Sequence, residues 1–365
     1  MLALRLAAID LLGGAIRRPL LFWSKAVSSF LAGDRETGLR PAPGSDVSVE
    51  IGLTAAIVSV DGDNPRILVV RPGDGVSGSR VALPFGFFAP LDHRTLEIGL
   101  RAWVLDQTGL ELGYVEQLYT FGDRGRHARR GDAGRRVVSI GYLALTRAGA
   151  HCGLKHGDWE NWYHFFPWED RRDKKPAILT NEILPRLNSW AQRSEPPDAP
   201  ARPLSREERL GIFFGGDHGW DEEKVLDRYE LLYGAGLVEE ASTDGREAAR
   251  QWQALPGFGV PMQFDHRRIL ATAMSRLRGK IKYRPVIFEL MPESFTLFEL
   301  QRTVEAILGS HLHKQNFRRL VAASGLVEPT GEIHAATGGR PAKAYRFRRE
   351  AVLERPSTGV RVRSR

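Results

Sequence analysis

One stretch of the chain places carboxylates on a predicted helix, an arrangement that could hold a metal ion. Residues 95–108 have helical character and are followed by Gly109, a typical residue just past a helix C-terminus. Mg²⁺ prefers clustered oxygen ligands, and helix carboxylates share one face when they are three or four residues apart. Glu97 and Asp106 are nine residues apart, about half a turn out of phase. The spacing therefore predicts a poor metal site.

A second stretch carries side chains that could read DNA bases. Residues 313–323 predict a helix with Phe317, Leu320 and Val321 on one side. Arg can bond guanine, and Gln or Asn can bond adenine, in the major groove. The alternative is a solvated helix with ordinary polar residues on its wet side. The candidate DNA contacts on this helix are Lys314, Gln315, Asn316, Arg318 and Arg319, and the small Ala322 shares their face.

The elements around this helix predict a winged helix-turn-helix. Thr296 and Glu299 form a capping-box pattern before a helix that continues to about Leu308. A three-residue turn, 309–311, then leads into the second helix, which is the helix-turn-helix pattern. Two predicted strands, 326–330 and 343–347, would form the wing. Further candidate DNA contacts are Thr337, Arg340 and Lys343 in the wing, and Lys280 and Lys282 upstream.

The charge of the chain is uneven. The 365 residues carry a net charge of +8, but residues 264–365 hold 20 Lys and Arg against 9 Asp and Glu. A basic C-terminal third suggests a polyanionic partner, although charge alone also serves solubility. Together with the winged helix it favours double-stranded DNA over a protein-docking role. RNA is less favoured because no aromatic stacking platform is evident.

Strands alternate with a helix earlier in the chain. Residues 51–58, 67–70, 118–121, 137–145 and 163–166 predict strands around the helix at 95–108. Strands around a helix predict an α/β or α+β domain at 47–168, and a helical connector at 169–263 and a winged helix-turn-helix at 264–350 follow it. Within the connector, a helical stretch should be kinked or broken near Pro185. A basic tail, 351–365, follows.

Composition excludes several classes of protein. Hydrophobic residues make up 42% and charged residues 26%, as in ordinary globular domains. No apolar stretch predicts a membrane span, and the single Cys152 excludes an internal disulfide. Residues 1–46 are predicted to be an appendage and linker, with an amphipathic surface helix as the alternative. We expect a cytoplasmic protein without a signal peptide.

Residues 83–92, 95–97 and 106–110 together resemble a Nudix box, the motif of hydrolases that hold Mg²⁺ against a diphosphate. When the pattern is anchored on Gly109, its Arg-Glu pair falls on Ala102-Trp103 and its Glu-Glu pair on Asp106-Gln107. The loop after Gly86 is also about two residues longer than the pattern. The resemblance thus implies the α+β class, with a Nudix-like α/β/α sandwich at 47–168 that has lost its metal-binding carboxylates and lacks efficient hydrolysis.

The combination of this domain with a winged helix resembles the Nudix-related transcriptional regulators of NAD metabolism. It looks most similar to the alphaproteobacterial NadQ-type repressors. The resemblance is carried by residues 117–124, 137–145, 277–280, 295–301, 316–319 and 339–342. It covers about 49–168 and 264–348 well, whereas 169–263 exceed the shorter members of the family.

The resemblance implies a homodimeric repressor of NAD biosynthesis genes whose effector is NAD, ADP-ribose or ATP, with no cofactor required. Arg could meet the phosphates of the effector and Phe could stack on adenine. The candidate effector contacts are Arg71, Arg80, Phe87, Phe88, Arg124 and Arg126. Two alternatives remain open: an ADP-ribose or NADH pyrophosphatase with an accessory winged helix, and an adaptor whose winged helix docks protein.

Overall fold

The computed structural model describes residues 49–71, 80–123, 136–148, 157–193, 203–216, 219–252, 254–255, 257–334 and 341–351. Several predictions lie outside these ranges: the appendage 1–46, Cys152, and the tail beyond 351. Four candidate site residues also lie outside them, namely Arg124, Arg126, Thr337 and Arg340.

The first domain is built on a mixed sheet with the order β4-β5-β1-β2-β6, and β3 pairs with the N-terminal half of β1. β1 is parallel to β5 and antiparallel to β2 and β3. Alternate residues of β1 enter two separate cores, with Leu53, Ala55 and Ile57 on one face and Ala56 and Val58 on the other. The strands are β1 Val49–Asp61, β2 Asn64–Val69, β3 Phe85–Phe87, β4 Tyr114–Phe121, β5 Arg136–Leu145 and β6 Asp158–Asn161.

Helices cover both faces of this sheet, as the α/β/α prediction requires. Leu100 and Val104 of α1 join the core with Leu53, whereas Ile269 and Met274 of α6 join the core with Ala56. The helices are α1 Leu96–Thr108, α2 Leu184–Ala191, α3 Arg206–Phe214, α4 Val225–Gly234, α5 Glu239–Thr243, α6 His266–Lys280, α7 Leu297–Leu308 and α8 Lys314–Ser324. The α+β class is confirmed.

The connector is helical as predicted, and the helical stretch changes its hydrogen-bond pattern next to Pro185. A π-helical turn, Leu179–Ile183, precedes α2, which has Pro185 in its first turn. Proline has no N–H to donate to the preceding turn, and the change from π-helical to α-helical hydrogen bonding falls next to it. α4 packs on α6, so the connector is joined to the face of the sheet that α6 covers.

The strand predicted at 163–166 is wrong. The last strand of the sheet is β6, and a 3₁₀ turn, Trp162–His164, follows it. The Asn161 side chain accepts a hydrogen bond of 2.9 Å from the Tyr163 N–H and so starts the turn. Tyr163, Phe165 and Phe166 are all buried. A short buried apolar run has no periodicity that distinguishes a strand from a turn of helix.

The C-terminal domain is a winged helix-turn-helix. A three-stranded sheet with the order β7-β9-β8 packs beside α7 and α8. Its strands are β7 Phe295–Thr296, β8 Val327–His334 and β9 Ala342–Phe347. Its core includes Leu300 and Val304 of α7 and Phe317 and Val321 of α8. No helix among the described ranges is long and apolar enough to cross a membrane.

Candidate DNA-binding and nucleotide-binding sites

The first helix of the helix-turn-helix begins and ends as the sequence predicts. Thr296 Oγ1 accepts a hydrogen bond of 3.1 Å from the Glu299 N–H, and the Glu299 carboxylate accepts one of 2.7 Å from the Thr296 N–H. This reciprocal capping box starts α7. Gly309 ends the helix with φ 72°, a conformation in which a β-carbon is unfavourable.

A buried carboxylate that the sequence analysis missed holds the turn between the two helices. Glu305 is 5% exposed and accepts hydrogen bonds from the Leu312 N–H at 2.9 Å and from Gln301 Nε2 at 2.8 Å. Its second oxygen lies 3.1 Å from His311 Nδ1. The sequence by itself gives no signal for the contact between Glu305 and Leu312, because the contact depends on the geometry of the turn between them. The turn is therefore stabilised from within the domain.

The second helix presents the predicted polar face to solvent. Phe317 and Val321 of α8 are buried, and every predicted contact on the helix is exposed. Arg319 donates a hydrogen bond of 2.9 Å to Asn316 Oδ1, so two of these side chains support each other at the surface. The exposed predicted contacts are Lys314, Gln315, Asn316, Arg318 and Arg319.

Of the DNA contacts predicted in the wing, Lys343 lies within the described ranges, and its side chain is exposed. Lys343 on β9 is opposite Ile333 on β8, and both are exposed. Next along β9, the exposed Arg346 is paired with Glu328 at 2.7 Å across the strands. Lys343 is thus an exposed cation on the wing, and the loop with Thr337 and Arg340 is outside the described ranges.

The two upstream lysines, Lys280 and Lys282, are both bonded to carboxylates of their own chain. Lys280 binds Glu116 and the hydroxyl of Tyr114, which is 2.8 Å away. Lys282 lies 2.7 Å from both Glu222 and Glu223. Burial lowers the pKa of each lysine, but hydrogen bonds and neighbouring carboxylates outweigh it and raise each pKa above its ordinary value. Both lysines therefore stay charged and join parts of the protein to each other.

In the sheet domain, two residues at the positions where the Nudix pattern has carboxylates bond α1 to β3. Trp103 Nε1 donates a hydrogen bond of 2.8 Å to the Phe87 carbonyl. Gln107 exchanges hydrogen bonds with the backbone N–H and carbonyl of Phe85. The indole of Trp103 also covers Gly86 so closely that a β-carbon there would collide with the ring. These positions are thus occupied by groups that fasten α1 to β3.

The remaining carboxylates of the helix are dispersed. Glu97 pairs with Arg101 at 2.8 Å, one turn further along α1, and Asp106 is exposed. Among the residues that the structure describes, no group of three or more His, Cys, Asp or Glu side chains could hold a metal ion. The arrangement of α1 can therefore orient β3, but the described carboxylates do not form a cation site.

The predicted effector contacts are only partly brought together. Phe87 and Phe88 lie in and just after β3 and are half-buried, with the Phe88 ring 6.4 Å from that of His93. The two described arginines already have acidic partners. Arg71 lies 3.3 Å from Asp158 and 3.6 Å from Glu160, and Arg80 pairs with Glu239. A phosphate would have to compete with these carboxylates.

The start of α6 lies against β3 from the other side. His266 Nδ1 is 3.0 Å from the N–H of Leu83, just before β3, and its ring meets that of Phe85 edge-on at 5.1 Å. Phe264, which also contacts both rings, has φ 51°, the one positive φ at a residue other than glycine in the described chain. Such conformations cost energy and are found at functional sites more often than elsewhere.

The fold and exposed basic helix of the C-terminal domain define a winged helix of the type that binds nucleic acid. Residues 287–347 match the family described as the NrtR DNA-binding winged helix domain. Over 88 residues the chain is also 46% identical to the ADPR responsive transcriptional repressor NtrR of Acinetobacter baylyi. That match covers 24% of this chain and 35% of the repressor, so the chain spans about a third of the length of the curated relative it matches.

Solved structures show weaker similarity to the chain. The crystal structure of Shewanella oneidensis NrtR complexed with a 27mer DNA is 19% identical and covers 83% of this chain and 95% of its own, with a TM-score of 0.49. The NUDIX domain of the same protein complexed with ADP ribose is 19% identical and covers 37% of this chain and 82% of its own, with a TM-score of 0.27.

Proposed function

We propose that this chain is a DNA-binding transcriptional repressor that senses an adenine nucleotide related to NAD. The observation that carries the proposal is the α8 surface, where five base-reading or cationic side chains are exposed while Phe317 and Val321 anchor the helix. The winged-helix family of residues 287–347 supports the same role. Lys314, Gln315, Asn316, Arg318 and Arg319 would enter the major groove, and Thr337, Arg340 and Lys343 would follow the wing along the phosphates.

We leave Lys280 and Lys282 out of this proposed interface. Each is bonded to carboxylates, so contact with DNA would first have to separate an existing ion pair. A functional dimer would place two α8 helices on half-sites one DNA turn apart, and we propose this arrangement for the complete assembly. NAD biosynthesis genes are the targets that we propose, from the resemblance of the sequence.

ADP-ribose is the effector that we place first, with NAD and ATP as the other candidates. The printed name of the Acinetobacter baylyi relative, an ADPR responsive repressor, supports this choice. We propose the surface around β3 as the binding site, with Phe87 and Phe88 against adenine. Arg124 and Arg126 remain the proposed phosphate contacts, since Arg71 and Arg80 are engaged with Asp158, Glu160 and Glu239.

The Nudix-like domain would bind this effector without efficient hydrolysis. Trp103 and Gln107 fasten α1 to β3 at positions where the hydrolase pattern has carboxylates. A pyrophosphatase is the second candidate, and it requires a different source of metal ligands. Incubation with Mg²⁺ and ADP-ribose, followed by chromatography, distinguishes the two. Steady release of AMP would establish the hydrolase.

The direct test of the proposal uses fluorescence anisotropy. Duplexes from the promoter of the chain's own operon and from NAD biosynthesis promoters are compared with scrambled duplexes of the same composition. We expect specific binding to at least one promoter, and a change in its Kd when ADP-ribose is added. Equal binding to promoter and scrambled duplexes would contradict the repressor. A nucleotide that binds the folded protein should also raise its Tm.

A further inference from the structure

The C-terminal end of α7 is bonded to the rest of the chain. The carbonyl groups of Ala306, Ile307 and Gly309 accept hydrogen bonds from Tyr163 Oη at 2.7 Å, Arg278 Nε at 2.8 Å and the Arg171 N–H at 2.8 Å. The last carbonyls of a helix have no partner within it. Here the sheet domain, the connector and α6 supply those partners, five to eight residues before α8 begins at Lys314.

Arg278 is at the centre of this contact. Its side chain is fully buried, and beside the Ile307 carbonyl it binds Glu169 Oε2 at 2.7 Å, the Glu222 carbonyl at 3.0 Å and Tyr163 Oη at 3.3 Å. A guanidinium holds such a set in a fixed, planar geometry, which a lysine cannot reproduce. Arg278 thus joins α6 to three other segments of the chain at one point.

Glu169 keeps Arg278 in this position. The carboxylate is fully buried and also binds Arg228 through two hydrogen bonds of 2.6 and 2.8 Å. Burial by itself raises the pKa of Glu169, but Arg228 and Arg278 outweigh it and hold the pKa below its ordinary value. The group is therefore ionised at neutral pH. A buried ion pair of this kind contributes little net stability and is best suited to specifying one geometry.

Gly309, in the turn after α7, is packed closely against neighbouring groups of the chain. A β-carbon on Gly309 would lie 2.8 Å from Tyr163 Oη and 3.0 Å from Arg278, and it would collide with the Glu169 carbonyl. Contacts below 3.0 Å do not occur at real β-carbons. The turn that leads to α8 is thus held by Glu305 within its own domain and by Arg278 and Glu169 from outside it.

We propose that Arg278, held by Glu169, is a positioning residue that sets the orientation of α8 relative to the Nudix-like domain. The proposal rests on the proposed DNA-binding function. α6, which carries Arg278, is 15 residues long and begins against β3 at His266. A helix of that length spans about 22 Å. One rigid element therefore connects the proposed nucleotide surface to the base of the recognition helix.

The chain contains a matched control on the same helix. Arg267 is eleven residues before Arg278, which places it on nearly the same face of α6. It is also buried and bonded to a carboxylate, Glu240, at 3.2 Å, and it donates to the Phe165 carbonyl at 3.0 Å. Its contacts among the described residues all lie outside 287–347. Loss of Arg267 should affect stability without affecting α8.

The experiment compares Arg278→Lys with Arg267→Lys. The probes are a duplex enriched from a random pool by the wild-type protein and a scrambled duplex of the same composition. We expect Arg278→Lys to weaken binding to the enriched duplex about tenfold while the scrambled duplex changes less than about twofold, because non-specific binding depends on phosphate charge and not on orientation. Arg267→Lys should leave this ratio unchanged.

Hydrogen exchange supplies a second readout that needs no DNA. The amides of residues 308–312 should exchange faster in Arg278→Lys and as in wild type in Arg267→Lys. If Arg278→Lys fails to fold, Tyr163→Phe tests the same contact by removing only the hydroxyl of Tyr163. We expect this variant also to bind the enriched duplex more weakly and to exchange the amides of residues 308–312 faster. An unchanged binding ratio and unchanged exchange at the turn would overturn the positioning role. If the wild-type protein enriches no sequence, the DNA-binding function fails, while exchange still decides the positioning of the turn.

Discussion

Arg319 is exposed on α8, and its replacement by alanine tests the base-reading surface. Within the protein the side chain makes one described hydrogen bond, to Asn316 Oδ1 at 2.9 Å. An exposed substitution of this kind changes the free energy of unfolding by less than about 0.5 kcal/mol. A bidentate contact of Arg with guanine contributes about 1–3 kcal/mol of base discrimination, or about 5- to 150-fold in Kd. The effect on DNA should therefore far exceed the effect on stability.

The assay is anisotropy on a set of duplexes in which each base pair of the best-bound promoter site is changed in turn. We expect Arg319→Ala to bind the parent site more weakly and to lose discrimination at one position. Arg276→Ala, which removes an exposed arginine of α6, is the control for loss of charge. Uniform weakening on every duplex would identify a phosphate contact instead. Wild-type discrimination at every position would refute the assignment of α8 to the groove.

Three further predictions concern the fold and its charges. Gly86→Ala should destabilise the protein by about 1–3 kcal/mol because its β-carbon meets the Trp103 ring, whereas Gly113→Ala, with open space around it, should not; thermal unfolding compares them. Gln107→Glu should lower Tm, since a carboxylate would face the Phe85 carbonyl without donating a hydrogen bond, and the exposed Asp106→Asn is its control. The lowered pKa of Glu169 contributes stability that is present above its unfolded value of about 4.5 and lost as pH falls below it. Denaturant titrations from pH 6 to pH 3 should therefore show a smaller loss of unfolding free energy for Glu169→Gln than for wild type, and an equal loss would contradict the lowered pKa of Glu169.

The helix-turn-helix was predictable because its signals are local in sequence. The capping box of Thr296 and Glu299 and the terminating Gly309 involve residues within a few positions of one another. The polar face of α8 follows from helical periodicity in the same way. The absence of clustered carboxylates on α1 is also visible in the spacing of Glu97 and Asp106. Where periodicity was lacking, at 163–166, the prediction was wrong.

The partners of charged side chains were not predictable. Lys280 and Lys282 belong to the basic third of the sequence, but the fold brings Lys280 to Glu116, a residue 164 positions away. Arg71 similarly lies beside Asp158 on a neighbouring strand. An exposed positive charge and a paired one have the same appearance in sequence, because the pairing depends on which distant strands and helices become neighbours.

The sequence alone thus determined the class of the C-terminal domain and the exposed face of its second helix, since both depend on spacings of a few residues. Only the tertiary structure decided that Arg278 would be buried with Glu169, 109 positions away, at the end of α7. Local chain geometry sets the direction of a side chain along its own helix. The packing of the sheet, the connector and α6 sets which groups that side chain meets.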